Sequence, residues 1–123
     1  SSRSIEGENP LYLPQAKVYN KSFSLGPCII SSEDIDPQNL KVGLKITRKN
    51  NVVFEGDSNT SAMKRNVSEL VDWLQRSNDL PELAVLMTGT GIIPPQDFTL
   101  KQNDIVEIYI EKIGILRNTI SLV

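Results

Sequence analysis

Residues 40–48, Leu-Lys-Val-Gly-Leu-Lys-Ile-Thr-Arg, alternate apolar and polar side chains with a period of two. Leu40, Val42, Leu44 and Ile46 share one face, and Lys41, Lys45 and Thr47 share the other. Successive side chains of a strand point to opposite faces, so this pattern reads as a half-buried β-strand. Lys49-Asn50-Asn51 makes a turn, and Val52-Val53-Phe54-Glu55 returns as the second strand of a hairpin. Asparagine tolerates positive φ, which such turns require.

Other segments extend the β pattern. The run Cys28-Ile29-Ile30, within residues 23–31, and Leu83-Ala84-Val85-Leu86-Met87 read as buried strands, since both are short apolar runs. Residues 105–110 read as another strand after the polar turn Lys101-Gln102-Asn103-Asp104, and residues 113–116 as a last short one. Ser32-Glu33-Asp34-Ile35-Asp36-Pro37 is a turn, with Pro37 stopping any helix. Pro10 and Pro14 bracket Leu11-Tyr12-Leu13, which is expected to be extended or irregular. One helix is expected over residues 66–76. Val67, Leu70, Val71 and Leu74 form its apolar stripe, Asn66 is the N-cap and Glu69 stands at the capping-box position. The fold class is therefore mostly β with one helix, α+β, in a single domain over residues 1–123.

Composition narrows the chemistry. The chain has 123 residues, 13 Lys and Arg against 15 Asp and Glu, a net charge of −2, and no histidine. A nucleic-acid binder needs a basic face to replace counterions, so that class is set aside. No window approaches a membrane span of about 18 apolar residues. The polar start has no apolar signal-peptide core, which points to a cytoplasmic chain cut from a longer protein. The sequons at Asn20, Asn59 and Asn66 then read as chance. The absence of histidine removes Ser-His-Asp and Cys-His catalysis within this chain, and the lone Cys28 supplies neither a disulfide nor a thiolate cluster. Carboxylates, Lys, Arg, hydroxyls and backbone amides remain.

Four places carry such groups. Thr88-Gly89-Thr90-Gly91 follows an apolar run, and its amides and hydroxyls are suited to an anion; equally, it is a tight bend needing φ > 0. Lys17, after a proline-bounded apolar segment, is either a solvated lysine or one that holds a carboxylate, stabilises an enolate or acts as a base. Arg3 with Glu6 and Glu8 is either a surface charge cluster or a carboxylate clamp with acid/base groups. Glu55 and Asp57 follow the hairpin; they are exposed turn acids or ligands for a hard cation.

Taken together, Ser1-Ser2-Arg3, Asn9-Pro10-Leu11-Tyr12-Leu13-Pro14-Gln15-Ala16-Lys17, Leu25-Gly26-Pro27, Asn59-Thr60, Met87-Thr88-Gly89-Thr90 and residues 113–118 resemble the fumarylacetoacetate hydrolase superfamily. The likeness covers nearly the whole chain and corresponds to the C-terminal part of the catalytic domain. Asn9 to Lys17 and Thr88-Gly89-Thr90-Gly91-Ile92-Ile93-Pro94-Pro95 are most similar to the 2-keto-3-deoxy-arabinonate dehydratase-like branch. The resemblance implies part of a mixed β-sandwich roll. It implies Mg²⁺, or Mn²⁺ or Ca²⁺, held by two Glu and one Asp expected upstream of Ser1, so that no metal ligand is assigned in this chain. It implies Lys17, Arg3 and Glu6 as catalytic groups, and Gly89, Thr90, Thr88, Tyr12 and Gln15 as substrate contacts. Ser4 stands where the family usually has Asp, and Glu6 where many members have Gln.

The implied reaction is metal-assisted enolisation of a 2-oxo acid, with dehydration of a 2-keto-3-deoxy sugar acid favoured. Hydrolysis, isomerisation or decarboxylation of a diketo acid is the alternative. A non-catalytic truncated β module is the reading of another class. The implied partners are a small 2-oxo or diketo acid and further copies of the chain, as a homodimer or homotetramer, with no nucleic acid and no membrane.

Overall fold

The computed structural model describes residues 9–12 and 14–122. Its framework is one antiparallel sheet of four strands in the order β2, β1, β3, β4. These are β1 (Lys41–Arg48), β2 (Asn51–Asn59), β3 (Ile105–Ile110) and β4 (Gly114–Thr119). Among the described residues one α-helix, α1 (Val67–Gln75), lies between β2 and β3 in the chain. Among the described residues no helix is long and apolar enough to cross a membrane.

The alternation in residues 40–48 does what it predicts. Leu44 pairs with Gly56 and Ile108, Ile46 with Phe54 and Val106, and Ile108 with Leu116. Cross-strand partners share a face, so these residues line one apolar side of the sheet. Ile46 and Leu40 are buried there, and Ile92 joins them from a distant loop. The other side carries a row of alternating charge in which Glu55, Lys45, Glu107 and Arg117 stand opposite one another across all four strands. Lys45 Nζ lies 3.0 Å from Glu107, and Arg117 Nε lies 3.8 Å from the same carboxylate.

The first hairpin turns one residue earlier than the sequence suggests. Lys49 and Asn50 take φ of 49° and 65°, while Asn51 already pairs with Arg48. Two positive φ values match the right-handed twist of the flanking strands. The register then shifts between Ile46 and Thr47, leaving Val53 as the extra residue of a bulge. The return strand runs on to Asn59, past residues too polar or too small to show apolar alternation. Leu40 and Thr60 close its far end, because Leu40 N donates to Thr60 Oγ1 at 2.8 Å and Thr60 N donates to Leu40 O at 3.0 Å. Asn59 Oδ1 accepts from Ser61 N at 2.8 Å and so caps the short 3-10 turn Thr60–Ala62.

Helix α1 begins as expected, with Asn66 Oδ1 accepting from Glu69 N at 2.7 Å. Gln38 supplies a second cap by accepting from Val67 N. The Glu69 carboxylate pairs with Arg65 at 3.4 Å. No residue of the helix is buried, and Trp73 lies 57% exposed beneath the Arg76 guanidinium, 4.3 Å from its ring centre. Asn66→Ala removes one of the two caps and should destabilise by about 1 kcal/mol, read as a lower urea midpoint. An unchanged midpoint would mean that Gln38 alone holds the helix start.

Two expected strands do not form. Residues 23–31 and 83–87 pair with nothing in the sheet, and Ile29 and Leu83 are 90% and 75% exposed. An apolar run becomes a strand only where a neighbouring backbone accepts its hydrogen bonds. Residues 24–28 instead run beside β4. Ser24 Oγ bonds Asn118 Oδ1 at 2.9 Å, and Cys28 Sγ donates to Ile113 O at 3.4 Å. The segment around Leu11 is also corrected, since Pro10–Tyr12 is a 3-10 turn rather than extended chain. Asn9 explains it. Its Oδ1 accepts from Leu11 N and its carbonyl from Tyr12 N, both at 3.0 Å, while Pro10 at the first position has no N–H to satisfy.

Candidate active site

Residues expected at the site form two local groups. The first is the pair of 3-10 turns ahead of the sheet, Pro10–Tyr12 and Gln15–Lys17. Tyr12 ends the first and is 41% exposed. Gln15 and Lys17 open and close the second, and both are exposed. The backbone of Lys17 is held at both ends. Its N–H donates to Pro14 O at 3.1 Å, and its carbonyl accepts the hydroxyl of buried Ser22 at 2.8 Å. Arg3 and Glu6, expected beside Lys17, lie outside the described residues.

The second group is the 88–91 loop. Gly89 has φ of +89°, a conformation that suits glycine, and no described residue lies within 4 Å of where its side chain would be. Among the described residues the N–H groups of Gly89, Thr90 and Gly91 have no backbone acceptor, and a loop with amides so placed is suited to cradling an anion. The Thr90 hydroxyl is turned inward, accepting from Ile92 N at 3.1 Å and facing Ile92 O at 3.2 Å. It closes the turn, which leaves the backbone and Thr88 as the outward-facing polar groups.

Gly91 has a different reason for being glycine. Its φ is not positive, but a side chain there would stand 2.8 Å from Ser58 Oγ on β2. Ile92 then plunges onto the sheet, its Cγ2 2.9 Å from the side-chain position of Gly56. Glycine inside a strand often marks such a close approach, and Gly56 is the sequence signal from which this docking was readable.

Further along, the same connection is anchored by a buried charge. Asp104, just before β3, is fully buried and takes two bonds from Arg48 at the end of β1, Nε to Oδ1 at 2.8 Å and Nη2 to Oδ2 at 2.7 Å. Lys101 N donates to Oδ2 at 2.8 Å. The Arg48 bonds hold the Asp104 carboxyl below the usual carboxylate range, against burial, which pushes it up. The same bonds raise Arg48. Arg48 also donates to Thr99 O at 2.8 Å and sits 5.8 Å from the centre of the Phe98 ring, which packs on Phe54 at 5.9 Å. The stretch after the 88–91 loop is thus fixed at Gly91 and Ile92, and again at Phe98 and Thr99. Nothing in the local sequence around Arg48 or Asp104 announces this pairing across 56 residues.

This sheet, with its glycine-bearing loop and its lysine turn, belongs to a known family. Residues 1–121 match the fumarylacetoacetate (FAA) hydrolase C-terminal model, and the chain is a member of that family. Within it, the chain is 51% identical, over its whole length, to a probable 2-keto-3-deoxyxylonate dehydratase of Haloferax volcanii, covering 43% of that protein. It is 47% identical over 94% of its length to the 2-dehydro-3-deoxy-D-arabinonate dehydratase of Saccharolobus solfataricus, covering 39% of it. A solved structure of 2-keto-3-deoxy-D-arabinonate dehydratase complexed with magnesium and 2,5-dioxopentanoate superposes with a TM-score of 0.90 at 46% identity, over 95% of this chain and 42% of that one. The chain therefore spans about two-fifths of the length of these relatives.

Proposed function

We propose that the protein of which this chain is part dehydrates a 2-keto-3-deoxy sugar acid. The observation that carries this reading is the open, amide-lined 88–91 loop in a chain half-identical to sugar-acid dehydratases. Residues 1–123 act as one partial domain, working as a homodimer or homotetramer in the cytoplasm.

The substrate carboxylate seats on the amides of Gly89 and Thr90 with the Thr88 hydroxyl. Tyr12 and Gln15, on the two 3-10 turns, contact the rest of the acid. The Lys17 ammonium, with Arg3, stabilises the negative charge that builds on the 2-oxo group when a proton leaves C3. The Glu6 carboxylate is the candidate base that takes the C3 proton; the C4–O bond then breaks, the C3–C4 double bond forms, and the hydroxyl departs as water with the proton that Glu6 returns to it. Lys17 suits its role because its turn fixes the backbone while the side chain stays exposed.

A magnesium ion, present in the related solved structure, supplies charge stabilisation for such enolisations when bound. Among the described residues no three Asp, Glu, His or Cys side chains converge on a point where it could sit. The described residues thus do not fit the ion by themselves, and no step is assigned through it here.

Calorimetric titration with Mg²⁺ in the presence of oxalate, a mimic of the enolised acid, tests this division. The full-length protein should bind oxalate saturably and only with metal, whereas the 123-residue chain should not. Saturable metal-dependent binding by the chain alone would overturn the upstream placement of the ligands. Turnover of a diketo acid, with none of a 2-keto-3-deoxy pentonate, would overturn the dehydratase reading.

A further inference from the structure

The contact between the 88–91 loop and β2 is reciprocal. The strand gives a glycine, Gly56, to a loop side chain, Ile92. The loop gives a glycine, Gly91, to a strand side chain, Ser58. Gly56 and Ser58 are two residues apart on one strand and so face the same way. Ser58 pairs with Val42 and is half-buried, so it belongs to the apolar side of the sheet. Together they form a two-point seat. Because the φ of Gly91 is not positive, it is Ser58, among the described residues, that keeps a side chain out of that position. Gly89 is the opposite case, needing glycine for its φ with no described residue near its Cβ position.

We infer that Ser58 is a positioning residue for the site: its hydroxyl against Gly91 sets how high the Gly89 and Thr90 amides stand above β2, and hence how they meet the carboxylate of a 2-oxo acid. This rests on the proposal above that the loop holds the substrate carboxylate. A hydroxyl-sized side chain at residue 58 matches a bare backbone at residue 91. A methyl added on either side lifts the loop. The lysine turn is untouched, so binding suffers more than chemistry.

The test is steady-state kinetics of the full-length protein with a 2-keto-3-deoxy sugar acid. Gly91→Ala should raise KM about tenfold while kcat changes much less, the pattern of lost ground-state binding. Adding Ser58→Gly to Gly91→Ala removes the obstructing hydroxyl and should return KM to near its original value. Ser58→Val, which presses on Gly91 from the strand side, should raise KM as Gly91→Ala does, and it carries the test if Gly91→Ala does not fold. A raised KM that Ser58→Gly fails to restore would overturn the role of Ser58 while leaving the loop as the carboxylate site. If Gly91→Ala, Ser58→Val and Gly89→Ala all leave KM unchanged, the carboxylate is bound elsewhere, and both readings fall.

Discussion

Lys17→Ala in the full-length protein should lower kcat by about 10²- to 10⁴-fold, the range lost when a positioned charge or proton carrier is removed from an active site. The backbone contacts of the turn, from Lys17 N to Pro14 O and from the Ser22 hydroxyl to Lys17 O, are kept in this variant. An unchanged circular dichroism spectrum and unfolding midpoint would separate lost chemistry from lost structure. Lys17→Arg discriminates between the roles open to the lysine. Arginine keeps the positive charge but does not deprotonate in proteins. With Lys17 acting as a fixed charge on the developing enolate, Lys17→Arg retains more activity than Lys17→Ala. An arginine variant as slow as the alanine variant would shift the residue to proton transfer. Near-normal turnover of Lys17→Ala would overturn its assignment.

Asp104→Asn should be the most destabilising conservative change in the sheet, costing about 2 kcal/mol at neutral pH by weakening charge-assisted bonds to a buried acceptor. Asparagine preserves shape, so the loss reads the charge together with one acceptor, because its NH2 faces an N–H of Arg48 or Lys101 that the carboxylate accepted. Asp104 is fully buried beside Arg48, and its folded carboxyl titrates below the unfolded value of about 3.9. Between those two values the unfolded chain binds more protons than the folded one, so stability rises with pH. The contribution is complete above the unfolded value and is lost as pH falls through the folded one. Urea midpoints of the parent and of Asp104→Asn should therefore differ most near pH 7 and converge as pH drops below about 4. A constant difference down to pH 3 would show that Asp104 acts through packing alone. The same variant should loosen the 98–99 stretch, since the Arg48 that holds Asp104 also holds Thr99 O. A rise in KM alongside the loss of stability would connect this anchor to the loop.

Features whose physics is local were legible in the amino-acid sequence. Period-two alternation alone specifies β1 and its buried face, because side chains of a strand point alternately whatever lies beyond them. The Asn66 cap and the apolar stripe specify α1, since the first free amides of a helix need an acceptor within reach. Gly89 is a glycine because of its own φ, and Lys17 and Thr90 stand within short motifs that carry the family likeness.

Features that depend on distant partners were not legible. Residues 28–30 and 83–87 are as apolar as β3, yet β3 finds β1 and β4 beside it and they do not, and backbone pairing decides between strand and loop. Thr90 reads as a ligand-facing hydroxyl until Ile92 claims it. The partner of Asp104 lies 56 residues away, and Ser58 faces Gly91 across 33 positions with no common motif. The sequence by itself determined which segments are able to pair, turn or coil. Only the tertiary structure decided which of them meet, because burial, close approach and charge pairing are properties of two surfaces in contact and are written in neither one alone.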